Sequence, residues 1–167
     1  MPILTFSGVL FYEVMLALHI AAVVVAFGVT FAYPIIFAVI GRQDPRALGA
    51  LHRAELAVNQ RLIMPGLAVV IIAGIYLASK LEVWSSFYVQ WGMGAAIVLG
   101  GLGGLFFAPT ARKLAALADH DVAAAGDGEV SMGAEYEALS KRLAMVGALS
   151  SLLVLLTIYF MVTRTGA

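Results

Sequence analysis

VLFYEVMLALHIAAVVVAFGVTFAYPIIFAVI, residues 9–40, is an apolar run in which, tyrosines aside, only Glu13 and His19 can carry charge. About 20 apolar residues wound as a helix cross a hydrocarbon layer of roughly 30 Å while satisfying their own backbone groups. Thirty-two residues make about 48 Å of helix, so this one must tilt, protrude or kink. Pro34 is the expected kink, because its missing N–H frees the carbonyl of Thr30. The whole chain has the same character. Of its 167 residues 62% are hydrophobic and 12% charged, with a mean hydropathy of +0.99, against roughly 45–50% and 25% in soluble domains. A chain this small cannot hide so much apolar surface in one aqueous core, so its solvent is lipid.

Three further spans are expected. Asp44-Pro45 reads as an N-cap with proline at the first helical position, opening a helix that runs to Ser79. Its charged half (Arg46, His52, Arg53, Glu55, Arg61) belongs in headgroups and water, its apolar half is residues 62–79, and Pro65 bends it near the interface. The third span, residues 88–108, is uncharged and rich in glycine, with Gly100 and Gly104 forming a GxxxG pair. The fourth, residues 143–162, carries Ala144, Gly147, Ala148 and Ser151 on one side. In a membrane such small residues let helices approach closely, so Gly100, Gly104 and Gly147 are expected to pack helices, within the bundle or against a second copy or membrane partner through the third helix.

The connections set orientation. Residues 41–61 and 112–142 carry eight of the ten Lys and Arg, leaving Lys80 and Arg164 on the other side. That asymmetry puts the first and third connections in the cytoplasm and both termini outside. The start of the chain lacks a basic segment and its apolar run is too long for a cleaved signal, so it is expected to stay. After a helical continuation to Ala118, the acidic, glycine-interrupted residues 119–133 favour mobility. The expected fold is all-α: one four-helix, up-down transmembrane domain over residues 1–167.

Ten acidic residues balance ten basic ones, which leaves no field for nucleic acid; with no cysteine, thiolate chemistry and disulfides are excluded. No metalloprotease, phosphate-loop or serine-hydrolase motif occurs, and no pair of membrane carboxylates suggests cation-coupled transport. His19 sits near the midplane, on a stripe of Tyr12, Met15, His19, Ala22, Ala26, Thr30 and Tyr33 expected to face the other helices. An ionisable group at that depth is a candidate site. Three readings stay open: an interhelical hydrogen bond, for instance to a serine of the fourth span; an axial ligand of haem b, with Met93 as the other ligand; or a copper site with Met15. Glu13 lies six residues away on another face. His52 and His120 read as solvated surface, and Arg53, Asn59 and Arg61 as a rim for lipid headgroups or another anion.

The string LHIAAVVVAFGVTFAYP (residues 18–34), the later NQRLIMPGLAVVIIAGIYLAS (59–79), the tryptophans Trp84 and Trp91, and FFAPTARKLAAL (106–117) together resemble a family of bacterial predicted integral membrane proteins of unknown function. That family is similar in layout to the copper-resistance D membrane domain and to the HemJ type of protoporphyrinogen oxidase, a haem-associated enzyme. The resemblance implies the bacterial inner membrane, and of the site residues it carries over only His19. The first helix ends FAYPIIFAVIGRQ with no histidine-bearing stretch, and the third span has no lysine. The expected function is a structural or partner-binding bundle in contact with membrane lipid; haem b binding through His19 and copper handling are the alternatives.

Overall fold

The computed structural model describes residues 3–167, with side chains from Leu10 onward; Val9, where the first span was expected to begin, lies in a helix ahead of those side chains. Helix α1 (Ile3–Gly28) passes through a tight 3-10 turn, Val29–Phe31, into α2 (Tyr33–Gln43). The break lies where Pro34 requires it, one turn before the ring. The Asp44 carboxylate then accepts the Arg46 N–H at 3.1 Å, and α3 (Leu48–Val58) runs through a wide π turn, Asn59–Ile63, into α4 (Met64–Leu81). Helix α5 (Phe87–Leu102) likewise passes through a π turn, Gly103–Phe107, into α6 (Ala108–Ala125), and α7 (Ala134–Thr163) closes the chain.

These pieces make four long helical segments, each long and apolar enough to cross a membrane. At most 22% of the most apolar stretch of any of them is buried within the chain. Ile35, Ile72, Ile97 and Leu149 are all more than half exposed, an outer surface that suits lipid and not water.

Neighbouring segments run antiparallel. Helix α1 lies along α4, α5 along α7 and α3 along α6, while α4 meets α5 and α6 meets α7. Two core layers result: Ala26, Phe27, Leu67, Ala96 and Val154 in the bundle's middle, and Leu48, Leu114, Ala118, Tyr136 and Leu143 near one end. The stripe expected to face inward does so, with Ala22 and Ala26 buried while Leu18, Ile20, Val24 and Val25 are exposed.

Phe11 meets Tyr76 edge-on at 5.0 Å, and Phe87 N–H donates to Gly166 O at 3.2 Å. The ends of the first and last segments therefore share one end of the bundle with the second connection. At the other end Arg46 donates to Gly126 O and Gly128 O at 2.8 and 2.7 Å. The third connection is shorter than the sequence suggested: α6 runs on to Ala125, leaving residues 126–133, and the Asp121 carboxylate accepts Gly133 N–H at 2.8 Å.

Of the GxxxG pair only Gly100 lies close to another helix, and the tightest approaches are at other glycines. A Cβ on Gly66 would lie 2.8 Å from Ala26 Cβ, one on Gly103 2.8 Å from Met64 Sδ, and one on Gly92 would strike Met161. At Gly100 the neighbour is Leu67, at 3.2 Å, whereas at Gly104 and Gly147 nothing lies within 4 Å. The latter two join no helices within this chain.

Candidate functional site

All four segments contribute one face to a partly open cavity of about 200 Å³ between them. Each face follows helical spacing: Phe27, Thr30, Tyr33 and Phe37; His52, Glu55, Asn59 and Ile63; Leu99, Gly103, Phe107 and Ala111; Leu143, Gly147, Ser150 and Val154. Three segments also break their helical repeat here, at the 3-10 turn and both π turns. Each break is followed within three residues by a proline, Pro34, Pro65 or Pro109. A proline ring clashes with the carbonyl four residues earlier, and in the two π turns an extra residue moves that carbonyl away. Asn59, first residue of one π turn, donates from Nδ2 to the carbonyl of Gly103, first residue of the other, at 3.0 Å.

The small stripe on α7 therefore has a different use from the expected one. Ala144, Gly147, Ala148 and Ser151 line the cavity: their small size leaves room rather than drawing a neighbouring helix in.

The polar groups gather at one end. His52, 1% exposed, lies with Nδ1 3.1 Å from Glu55 Oε2 and Nε2 3.0 Å from Tyr136 Oη, and its ring stacks on Phe37 at 4.6 Å. A neutral imidazole satisfies both partners, donating to the carboxylate from Nδ1 and accepting the phenol proton at Nε2. Two hydroxyls on the wall, Tyr33 Oη and Ser150 Oγ, are buried without a hydrogen-bond partner, which leaves each the desolvation cost of an unmade bond.

Reading His52 as solvated is thus corrected. It sits on the charged half of the second segment, but on the same face as Leu48, which is packed against Leu114 in the lower core layer. Asn59 is likewise no headgroup contact: it is 7% exposed and bonded to Gly103. Arg53 reaches across to Asp119 at 2.6 Å, with both side chains about half exposed, and Arg61 is exposed. His120 stands out at 79% exposure beside Asp121.

His19 is apart from this cavity. Its Nδ1 lies 2.9 Å from Val70 O on α4, so that nitrogen carries the proton and donates, and Gly74 leaves room for the ring edge. The partner is a backbone carbonyl of the second segment, where a serine of the fourth was the example expected. Met93 is three residues, about 4.5 Å of rise, from Ala96 in the middle core layer, whereas His19 is seven residues, about 10 Å, from Ala26 in the same layer. Neither of them, nor Met15, lines the cavity. Among the described residues no three His, Asp or Glu side chains form a metal-binding group. Compared with known proteins, the chain matches no family model, no curated sequence and no solved structure.

Proposed function

We propose that this chain is a multi-pass protein of the bacterial inner membrane, termini outside, that works as a binding bundle: it holds a small lipophilic ligand in the cavity between its four spans. The observation that carries this is the cavity itself, about 200 Å³, walled mainly by apolar side chains, with Thr30, Tyr33, His52, Glu55, Asn59 and the serines Ser140, Ser150 and Ser151 as its polar groups. A few fixed polar groups on an apolar wall are the ordinary make-up of small-molecule sites. An apolar cavity of about 150 Å³ takes up benzene, so a substituted benzene suits this one. Both ring nitrogens of His52 are engaged, by Glu55 and Tyr136, which favours a binding role for this wall.

The test uses protein labelled with 3-fluorotyrosine in detergent micelles. Six tyrosines give six fluorine resonances, with Tyr33 assigned by Tyr33→Phe. Ethylbenzene, added at a fixed ratio to detergent, should shift the Tyr33 resonance saturably, and Gly147→Leu, which fills open space, should abolish the shift. A Tyr33 resonance that responds equally in both proteins overturns the reading.

A second reading, haem b or copper at His19, is favoured by one observation. Donation from Nδ1 to a backbone carbonyl orients a histidine and leaves Nε2 as the ligating lone pair; Met93 or Met15 would be the further ligand. The protein purified with haem precursor supplied would then show a Soret band that His19→Ala removes. A colourless, folded protein ends the haem reading and leaves His19 as an interhelical hydrogen bond. Copper uptake unchanged in His19→Ala and Met15→Leu would end the other.

A further inference from the structure

Resting on the cavity as a binding site, we infer that its ligand is a small organic cation, an aryl-alkyl ammonium, held by Glu55 and the aromatic wall.

The charge balance of the lining points this way. Among the described residues the cavity has one carboxylate, Glu55, and no Lys or Arg. The side chain that touches that carboxylate is His52, whose Nδ1 lies 3.1 Å from Oε2 while its Nε2 is taken by Tyr136, which leaves Oε1 with no hydrogen-bond partner among the described residues. A carboxylate taken largely out of water attracts a positive charge far more strongly than a surface carboxylate does. Arginines lie nearby but are occupied or turned elsewhere: Arg46 holds the third connection, Arg53 pairs with Asp119, and Arg142 lies over Phe106 at 5.7 Å.

The wall has the matching chemistry. Phe27, Tyr33, Phe37 and Phe107 surround the space, and aromatic faces attract cations most when water is excluded. A neutral hydrocarbon would leave the cavity side of the Glu55 carboxylate facing apolar atoms. An anion would meet Glu55 with no compensating base.

The experiment compares phenyltrimethylammonium with tert-butylbenzene, two molecules of one shape that differ in charge, by the fluorotyrosine resonances of the full chain in micelles. The cation should bind saturably and more tightly than the hydrocarbon, shifting Tyr33 and Tyr136. Glu55→Gln, which keeps an acceptor for His52, should weaken the cation by about tenfold and leave the hydrocarbon unchanged or tighter. If the hydrocarbon binds the wild type as tightly as the cation, the charge assignment is overturned while the cavity stands as a binding site. If neither molecule moves Tyr33 or Tyr136, the cavity reading falls as well. The wild-type comparison needs no variant, so a Glu55→Gln protein that fails to fold leaves the test intact.

Discussion

His52 shows how much one side chain's surroundings matter. Set among charged residues along the chain, it lies 1% exposed between Glu55 and Tyr136. Replacing it with leucine leaves the Glu55 carboxylate and the Tyr136 phenol without their shared partner. The expected loss is about 2–3 kcal/mol, read as a lower unfolding midpoint in micelles; Tyr136→Phe, which removes one neutral bond, should cost about 1 kcal/mol. Equal effects from the two would show that the carboxylate is reached by solvent. His19 makes a milder contact. His19→Leu removes a single bond to Val70 O, for which membrane proteins give about 0.6 kcal/mol on average, so its stability should hardly change.

At the scale of elements, the contrast lies among glycines. Gly66 sits where α4 presses on Ala26 of α1, and Gly101 has open space around its missing Cβ. Gly66→Val should push the two helices apart and destabilise by about 2 kcal/mol, whereas Gly101→Ala should be neutral or slightly stabilising through helix propensity. A thermal melt of both proteins decides it, and a Gly66→Val protein as stable as the wild type would show that α1 and α4 slide freely. The connection between α6 and α7 depends on Arg46, whose guanidinium holds two carbonyls, Gly126 O and Gly128 O. Arg46→Ala should release residues 126–133 and speed proteolytic cutting there, with the helical core still intact.

For the whole molecule the open question is which end faces which side. The natural chain has no cysteine, so single cysteines report without interference. Ser131→Cys, in the third connection, should react with an impermeant thiol reagent only after the membrane is broken, and Ser85→Cys, in the second, from outside in intact cells. The reverse pattern would invert the bundle and overturn the reading from the eight-to-two distribution of Lys and Arg.

How much of this was legible in the sequence follows from range. Four apolar runs, the kink at Pro34, the cap at Asp44 and the inward stripe of the first helix come from composition and helical period, which are local properties of the chain. The cavity is not local. Gly147 and Ser151 read equally well as a tight helix contact or as room for a ligand, because a missing side chain promises closeness only if a neighbour comes close, and here nothing lies within 4 Å of a Cβ placed on Gly147. His52, Glu55 and Tyr33 carried no signal as a group, being 19 or more residues apart on different segments or hidden in a charged stretch; the one available clue was that His52, Glu55 and Asn59 share a helical face with Leu48 and Ile63. The sequence by itself determined that the chain is helical and apolar enough to cross a membrane four times, since each helix closes its own backbone hydrogen bonds. Only the tertiary structure decided which faces enclose a space and which polar groups share it, since that depends on how far apart the packed helices stand.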